Sequence, residues 1–574
     1  MMIIKASPSK ALVVRINLVF FGLFVIVYAT LLFRNFPSVA LNCPPKTEDG
    51  LRRRAVLGEL REEGSTAERR RRAAAMKREK PSFLNEIAAG GSGMKIGMVN
   101  MEDEDVGEWN LHGETIITVR YEKVSENLEW KRLFPEWIDE EEETAAGKPS
   151  CPEIPMPEMA DYPYMDLIVA KLPCNGTGRN VFRLQIHLIA ANLAAARGRR
   201  DWYEKTKVLL LSKCRPMVEL FRCKELKKRE NDWWYFEVDI LKLSQKVSLP
   251  IGSCNLALPL WGKGMNEVYD VSNLENTAMV AKKEAYATVL HSSQNYVCGA
   301  ITLAQSLLRT GTKRDLILLL DSTIPETKRE ALAKAGWKLQ FIKRIRNPRA
   351  EKKSYNEYNY SKLRLWQLTD YDKVIFVDSD VIVLRNIDFL FNFPEISAAG
   401  NDGSIFNSGV MVLEPSNCTF HLFMRRANDV VSYNGGDQGF LNEIFVWWHR
   451  LPRRVNFLKN FWSNSSAETT LKNRLFGSDP PELYAIHYLG VKPWLCYRDY
   501  DCNWDISDQR VYASDVAHRT WWKVHDAMDE RLQKFCGLPD SRKIRLEKER
   551  KKARLMGFQD QHWKINVTDP RRFN

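Results

Sequence analysis

The chain has 574 residues, and its 85 Lys and Arg against 72 Asp and Glu give a formal net charge of +13. Hydrophobic residues make up 44% of the chain and charged residues 27%, a globular composition that excludes a mostly disordered or fibrous protein. The length predicts several domains, or one large catalytic domain with extensions. The basic excess fits nucleic acid, an anionic membrane or an anionic substrate such as a nucleotide diphosphate, so composition does not choose among these partners.

The N-terminus carries an apolar run preceded by positive charges. Residues 16–34 approach the roughly 17–25 residues that span a bilayer as a helix, and Lys5, Lys10 and Arg15 precede them. No small-x-small cleavage site of a signal peptide follows the run. We therefore expect a single-pass type II anchor with residues 1–15 in the cytoplasm and the C-terminal bulk translocated. A buried core helix is the alternative.

Two further features agree with a secretory lumen. Asn-x-Ser/Thr sequons, each weak by itself, begin at Asn175, Asn359, Asn417, Asn464 and Asn566. The 11 Cys show no metal-finger spacing, and Cys496 and Cys502 are close enough in sequence to pair in an oxidising compartment. The alternative is that most cysteines are simply small buried side chains.

Composition divides the N-terminal half into a stem and an accessory region. Residues 35–93 are rich in Arg, Glu, Ala and Gly, which is typical of a flexible stem. Over residues 94–264 we expect an α/β region with a helix at Val181–Arg197. Its predicted strands are Met165–Ala170, Lys207–Leu211 and Trp233–Ile240. The Pro- and Gly-rich Leu249–Gly264 is the best linker candidate.

Residues 265–538 show a regular alternation of strands and helices. The pattern predicts strands at Ala285–Leu290, Leu316–Leu320 and Lys338–Ile342. One helix, Tyr296–Arg309, separates the first two strands, and a second, which begins near Thr323–Glu326 and ends at Gly336, separates the last two. Such alternation favours an open, mostly parallel sheet with helices on both faces, whose ligands lie beyond the carboxyl ends of the strands. Residues 539–574 read as a basic, solvated helix and tail. Their charged run, Asp540–Gly557, offers no aromatic or motif support for a nucleic-acid arm, so nucleic acid is not an expected partner.

The strongest local signal is a buried strand that runs directly into two carboxylates. In the sequence 371–380, YDKVIFVDSD, Asp378 and Asp380 flank Ser379, and in extended geometry they project to the same side. Hard oxygen ligands suit a divalent cation that accompanies a nucleotide diphosphate. A bare Asp-x-Asp is nevertheless common.

Three further segments present polar groups at glycine-containing positions, and an ordinary turn or a structural histidine is the alternative for each. The glycines allow close approach of the backbone to a ligand. In the last segment, an imidazole is an acceptable Mn²⁺ ligand and an ammonium five residues later could neutralise a departing phosphate. The segments comprise Asn407, Ser408 and Gly409; Asn434, Gly435, Gly436, Asp437 and Gln438; and His487, Tyr488, Leu489, Gly490, Val491 and Lys492.

The order of these segments, with Ser361–Trp366 upstream, resembles the glycogenin-like retaining glycosyltransferases of family 8, which have the GT-A fold. The match covers roughly Glu284–Trp504. The N-terminal anchor, Cys151–Pro155, Val181–Gln185 and Cys496–Cys502 resemble the plant UDP-glucuronate:xylan α-glucuronosyltransferases of the Golgi.

The resemblance implies a role for each matching residue. Asp378, Asp380 and His487 would bind Mn²⁺. Residues 407–409 and 434–438 would line the donor-sugar and acceptor pocket, and Ser379, Tyr488, Leu489 and Val491 are also expected to bind substrate. Gly490 and Lys492 would hold the β-phosphate, Lys362 would contact the donor, and Tyr296 would lie near the uridine. Asp437, Gln438 and Lys492 are the groups expected to carry catalysis.

One position departs from the family pattern, because Asn434 stands where glycogenin-like sequences usually have Asp. Retention of configuration could arise by double displacement or by same-face attack within an ion pair, and we favour the second. No residue is identified as a clamp for the glucuronate carboxylate, although Arg364, beside Lys362, is conceivable.

The resemblance therefore predicts a Golgi-membrane enzyme with a lumenal catalytic domain that moves glucuronate from UDP-glucuronate to xylan during secondary cell wall synthesis. Other Golgi xylan-synthesis proteins are expected as further partners. The alternatives are a related UDP-sugar transferase, such as a starch or glycogen primer, and a catalytically silent subunit of a xylan-synthesising assembly.

Overall fold

The structure is a computed structural model that describes residues 81–88, 93–101, 114–133, 152–174, 178–248, 282–291, 294–402 and 404–572. All of them belong to one unit, Lys80–Asn574. The expected anchor, nearly all of the expected stem and the Leu249–Gly264 linker lie outside the described residues. Within the described ranges, no helix combines the length and the apolar composition needed to cross a membrane.

The accessory region forms a six-stranded sheet. Its elements are α1 Leu84–Ala88, β1 Lys95–Val99, β2 Thr115–Val119, β3 Leu167–Lys171, α2 Val181–Arg197, β4 Lys205–Leu211, β5 Leu226–Glu230, β6 Trp233–Asp239 and α3 Ile240–Ser248. The strand order is β2-β1-β3-β4-β6-β5; the first four strands are parallel, and β6 and β5 are antiparallel additions. The predicted helix is confirmed with its bounds, because Asn180 caps it by accepting a hydrogen bond of 2.8 Å from the Arg183 amide.

The catalytic region contains the remaining elements. They are β7 Glu284–Leu290, α4 Val297–Arg309, β8 Asp315–Leu320, α5 Glu326–Lys334, β9 Lys338–Phe341, β10 Lys373–Val377, β11 Val381–Val383, β12 Ser397–Asp402, β13 Ile405–Leu413, α6 Asn417–Arg426, α7 Asp437–Ile444, β14 His449–Leu451, β15 Phe457–Leu458, α8 Ser466–Gly477, β16 Ala485–His487, α9 Asp515–Asp526, α10 Glu530–Gln533 and α11 Asp540–Leu555. The three strands predicted from the alternating pattern are therefore present as β7, β8 and β9.

A seven-stranded sheet in the order β14-β12-β13-β10-β7-β8-β9 forms the centre of this region. Four neighbouring pairs are parallel, but β13 runs antiparallel to both β10 and β12. The prediction of a mostly parallel sheet is confirmed. The turn alternative for residues 407–409 is wrong, because these residues lie within β13.

Both faces of the central sheet are covered by helices. Along β10, Val374 and Phe376 pack against α6 and α7, whereas Ile375 and Val377 face α4 and α5. A strand buried on both faces reads as a continuous apolar run, which is why YDKVIFV predicted this element. The architecture is a mixed α/β fold whose strands deliver their following residues to one edge.

A small third sheet, β11-β16-β15, joins the segment after β10 to a distant part of the chain. Its antiparallel register pairs Val381 with His487, and the Tyr488 amide donates to the Asp380 carbonyl at 2.9 Å. This pairing brings residues that are about a hundred positions apart into one site.

Disulfides and ion pairs connect the two regions. Described disulfides join Cys174–Cys214, Cys223–Cys418, Cys298–Cys536 and Cys496–Cys502, the last of which confirms the predicted pairing. Beside Cys223–Cys418, Arg222 of the accessory region donates to Glu414 of the catalytic region at 2.7 Å, and both side chains are buried. The accessory sheet is thus attached to the catalytic body covalently and electrostatically.

The C-terminal helix α11 is mostly exposed, as predicted, but it is also docked. Leu546 is buried in a cluster with Cys496, Tyr497 and Cys502. The Tyr497 hydroxyl donates to Glu547 at 2.6 Å. The helix therefore stabilises the segment that follows Lys492.

Candidate functional site

A cleft of about 670 Å³ lies at the carboxyl edge of the central sheet. His291 follows β7, Asp321 follows β8, and Asp378 follows β10, as expected for ligand-binding residues of an open α/β sheet. Of the sequence-predicted residues, the cleft is lined by Tyr296, Lys362, Asp378, Ser379, Asp380, Asn407, Ser408, Asn434, Gly436, Asp437, Gln438, His487, Leu489 and Lys492.

Asp378, Asp380 and His487 form a candidate metal centre. One ligand atom from each lies within 4.8 Å of the others. The expected extended geometry is wrong, because the chain turns directly after Asp378: the Val381 amide donates to the Asp378 carbonyl at 3.1 Å. The carboxylates converge through this turn. Two carboxylates and an imidazole suit a divalent transition metal.

The two carboxylates have opposite pKa shifts. Burial raises the pKa of Asp378 to about 6, although Lys362 counteracts it. Burial alone would also raise the pKa of Asp380, but the Lys492 ammonium outweighs it and holds that pKa well below its ordinary value. Nε2 of His487 lies 3.3 Å from Oδ1 of Asp380, and the Lys492 ammonium pairs with Oδ2. Asp380 is therefore a permanent anion at neutral pH.

A chain of amides fixes the orientation of His487. The Gly409 amide donates to Asn407 at 2.8 Å, which identifies the accepting atom as Oδ1. The Asn456 atom that lies 2.9 Å from this oxygen is therefore its NH₂ group, which donates to it. Oδ1 of Asn456 then faces Nδ1 of His487 at 3.1 Å. Because an amide oxygen only accepts, Nδ1 carries the proton and Nε2 is available as a ligand. Asn456 was not identified from the sequence, since no local pattern marks it.

Gly409 leaves the space that the imidazole occupies. A Cβ at this position would lie 2.5 Å from Cε1 and 2.6 Å from Nδ1 of His487. No side chain fits there without displacing the ring, so this glycine is required for close packing.

Lys362 joins the metal centre to the residues of α7. Its Nζ lies 2.7 Å from Oδ2 of Asp437 and 3.3 Å from Oδ1 of Asp378, and it also donates to the Ser408 hydroxyl at 3.3 Å. Burial by itself lowers the pKa of Lys362, but the two carboxylates reverse this effect and hold it above its ordinary value. The ammonium therefore stays charged.

The predicted glycine turn precedes α7 and shapes its N-terminus. Oδ1 of Asn434 accepts hydrogen bonds from the amides of Gly436 and Gly439 at 2.9 and 3.1 Å. Gly435 has φ +65°, which favours glycine. Asn434 thus has a local structural role that an aspartate oxygen would also fill. Gln438 accepts from the Ser408 amide at 3.1 Å, which ties the helix to β13.

Lys492 closes the metal end of the cleft. Besides Asp380, it donates to the Tyr488 carbonyl at 2.7 Å, and its Nζ lies 6.0 Å from the ring centroid of Tyr296. Gly490 has φ +72°, and a Cβ there would meet Asn503 at 2.6 Å. The turn between His487 and Lys492 therefore depends on glycine to return the lysine to the site.

Two predicted residues have structural side chains instead. Tyr488 is fully buried and donates to the Ala517 carbonyl at 2.7 Å. Val491 packs against the cluster around Cys496, and its amide donates to Asn503 at 2.8 Å. At these two positions only the backbone lies near the cleft residues.

The cleft also contains residues that sequence reasoning missed. His291, Arg344, Tyr355 and Asn356 line it. His291 could have been found, because it directly follows a predicted strand at the carboxyl edge. The residues of the 344–358 segment have no motif, and tertiary folding alone places them here.

The carboxylates of Asp378, Asp380 and Asp437 and the ammonium groups of Lys362 and Lys492 thus line one cleft that can hold a divalent cation. Fixed positive groups beside a metal site stabilise negative charge that develops on a phosphate oxygen. Asp437, Ser408 and Gln438 supply polar contacts next to Lys362, where a bound sugar could be oriented.

Two family models match the chain. Residues 70–254 match the GUX1-5 N-terminal domain, and residues 287–401 match glycosyl transferase family 8.

Relatives of known name match at several levels of identity. UDP-glucuronate:xylan alpha-glucuronosyltransferase 2 of Arabidopsis thaliana is 58% identical over 100% of this chain and 98% of that protein. UDP-glucuronate:xylan alpha-glucuronosyltransferase 1 of the same plant is 49% identical over 83% of this chain and 72% of that protein. Human glycogenin-2 is 31% identical over 44% and 52%. The solved galactosyltransferase LgtC is 17% identical with a TM-score of 0.30, covering 44% of this chain and 99% of that chain.

Proposed function

The chain belongs to the UDP-glucuronate:xylan alpha-glucuronosyltransferase family, and we propose on this basis that it transfers glucuronate from UDP-glucuronate to xylose residues of the xylan backbone. It is a glycosyltransferase of family 8. The observation that carries the assignment is 58% identity along the whole chain to a relative of that name. The cleft retains the charged groups that such a transfer needs.

A divalent metal would be held by Asp378, Asp380 and His487, and we propose Mn²⁺. The donor set fits, since it combines two oxygen ligands with an imidazole whose Nε2 lone pair is directed by Asn456. When bound, the ion would supply positive charge to the diphosphate of the donor.

Lys492 would assist the departure of UDP. Its ammonium is held at the metal end by Asp380 and the Tyr488 carbonyl, so it needs little reorganisation to face a developing phosphate charge. Gly490 allows the turn that positions it.

Asp437 would orient the donor sugar, with Gln438 and Ser408 beside it. Its carboxylate is already engaged by Lys362 at 2.7 Å and by the Ser408 hydroxyl at 3.3 Å. A carboxylate held in an ion pair is a poorer nucleophile than a free one. This favours retention by same-face attack over double displacement through Asp437.

We further propose that the protein is anchored in the Golgi membrane with the described residues in the lumen. The apolar run of residues 16–34 and the four described disulfides support an oxidising, secretory location. Asn417, Asn464 and Asn566 are exposed and accessible to glycosylation. The sequon at Asn359 is not, because that side chain is buried.

A donor screen tests the function. The full chain, purified in detergent, is incubated with UDP-glucuronate, UDP-glucose or UDP-xylose and xylohexaose, with and without Mn²⁺, and products are identified by mass spectrometry. We expect a glucuronosylated product that requires the metal. Use of UDP-glucose without use of UDP-glucuronate would contradict the donor assignment, and labelling of the protein without acceptor would indicate a primer enzyme.

A pair of variants separates the enzyme from a silent subunit. Asp380→Ala removes a metal-site carboxylate and should abolish transfer and xylan glucuronidation in a plant that lacks the protein. Asp370→Ala removes an exposed carboxylate three residues before β10 and should leave both unchanged. Full restoration by Asp380→Ala would favour the non-catalytic role.

A further inference from the structure

The sugar end of the cleft is the part lined by Ser408, Asp437 and Gln438. If the proposed function is correct, this end must accept one more negative charge, and the inference below rests on that function. Glucuronate differs from glucose by a carboxylate in place of a hydroxymethyl group. The cleft already contains the carboxylates Asp378, Asp380 and Asp437. An additional carboxylate that is removed from water without a cationic partner would be strongly disfavoured.

Two of the three lysines that line the cleft are already committed, and the third, Lys353, is exposed to solvent. Lys362 pairs with Asp437 at 2.7 Å and with Asp378 at 3.3 Å. Lys492 pairs with Asp380 and donates to the Tyr488 carbonyl. Neither ammonium can turn to the donor's carboxylate without leaving a buried aspartate unpaired.

His291 does not supply the missing charge. Burial lowers the pKa of its imidazole to about 4, so the ring is neutral at physiological pH. The charged groups that act on it include Asp437, Lys362 and Arg344. Arg344 lines the same cleft as His291 and Asp437.

Arg344 has the geometry of a carboxylate-binding group. It lies three residues after β9 at the carboxyl edge, and it lines the cleft with 30% of its side chain exposed. Its Nε lies 2.7 Å from Oδ2 of Asp321, which is itself held by the Thr323 amide at 3.1 Å. The guanidinium carbon lies 4.1 Å from the ring centroid of Tyr358.

These contacts leave the two terminal nitrogens available. Among the described residues, the Nη atoms of Arg344 make no hydrogen bond. Asp321 and the Tyr358 ring fix the plane of the guanidinium, and a planar fork with two free N–H groups matches a carboxylate in bidentate fashion.

We propose that Arg344 binds the carboxylate of the glucuronosyl group and thereby selects UDP-glucuronate over UDP-glucose. Asp321 and Tyr358 act through Arg344 as positioning residues. Arg364, the candidate from the sequence, is elsewhere: it donates to the Lys343 carbonyl at 3.1 Å and to Gln367 at 2.6 Å, and it does not line the cleft.

The test compares Arg344→Met with Arg364→Met, which is the same substitution outside the cleft. The kcat/KM values for UDP-glucuronate and UDP-glucose are measured on the full chain with Mn²⁺ and xylohexaose. We expect Arg344→Met to lower the ratio of the two values by roughly 100-fold, as for loss of a charged hydrogen-bonded pair, mainly through UDP-glucuronate. Arg364→Met should leave the ratio unchanged.

Two outcomes would overturn the inference. One is a ratio left unchanged because neither donor is affected by Arg344→Met, and the other is a ratio left unchanged because both donors lose equally, which would indicate a structural role. If Arg344→Met does not fold, Arg344→Lys keeps the charge but not the fork, and it should lower the same ratio by a smaller factor; an unchanged ratio there would also refute the inference. A wild-type chain that uses UDP-glucose but not UDP-glucuronate would refute the proposed function instead.

Discussion

Replacing Gly409 by alanine tests whether the structure places His487 correctly. The added Cβ would lie 2.5 Å from Cε1 of the imidazole, whereas carbon atoms in contact are about 3.5–4.0 Å apart. The ring must therefore retreat by about 1 Å, while metal–ligand distances tolerate deviations of only about 0.2 Å. We expect Mn²⁺ affinity to fall by at least about 10- to 100-fold, the range found when a ligand loses its positioning.

The measurement is isothermal titration of Mn²⁺ into the full chain, together with the thermal unfolding midpoint. Gly537→Ala is the matched control, because its new Cβ would meet nothing closer than 3.9 Å. The control should bind the metal normally. Unchanged metal affinity and activity in a folded Gly409→Ala protein would refute the packing of β13 against His487 and, with it, the assignment of that histidine as a ligand.

Three further predictions follow from contacts near and far from the cleft. Asn456→Ala removes the acceptor for Nδ1 of His487 and should weaken Mn²⁺ binding by roughly 10- to 100-fold with little change in the unfolding midpoint; equal affinity in the same titration would contradict the tautomer assignment. Lys492→Met should lower kcat by about 100- to 1,000-fold while KM for the donor changes less, and steady-state kinetics showing the reverse would place Lys492 in ground-state binding. Burial lowers the pKa of His187 to about 3, so as the pH falls the unfolded state takes up a proton before the folded state does. The free energy of unfolding therefore has its full value above about pH 6.5. It decreases as the pH falls from 6.5 toward 3. In urea unfolding, the free energy of unfolding of the unmodified chain should decrease by about 1.4 kcal/mol per pH unit in that window more than that of His187→Gln. Parallel pH profiles for the two proteins would exclude this contribution of His187.

The sequence predicted the elements whose signals are local. The apolar run before Asp378 marks a strand buried on both faces, and the helical pattern of Val181–Arg197 predicts a helix that the structure reproduces. The metal ligands were also accessible to sequence reasoning, because Asp378 and Asp380 follow that strand directly. His487 needed the family resemblance, since only the pairing of β11 with β16 brings it to Asp380.

The remaining site residues depend on contacts between distant segments. Asn456 donates to Asn407 and accepts from His487, and these two bonds orient the imidazole. Arg344 reaches the cleft from the segment that follows the edge strand β9. No periodicity or spacing encodes such contacts. The turn suggested for Asn407–Gly409 failed for a related reason, because polar residues inside a strand are indistinguishable from a loop until their partners are known.

The bond between Cys223 and Cys418 has a consequence for biosynthesis. The two cysteines are 195 positions apart, so the accessory region leaves the ribosome long before the second thiol is made. Until then Cys223 remains a free thiol, and the Arg222 guanidinium next to it lacks Glu414. Any folding of the accessory region before residue 418 is synthesised therefore occurs without this attachment, and the disulfide can form only once both halves are present. A chain truncated before residue 418 would lack the partner of Cys223.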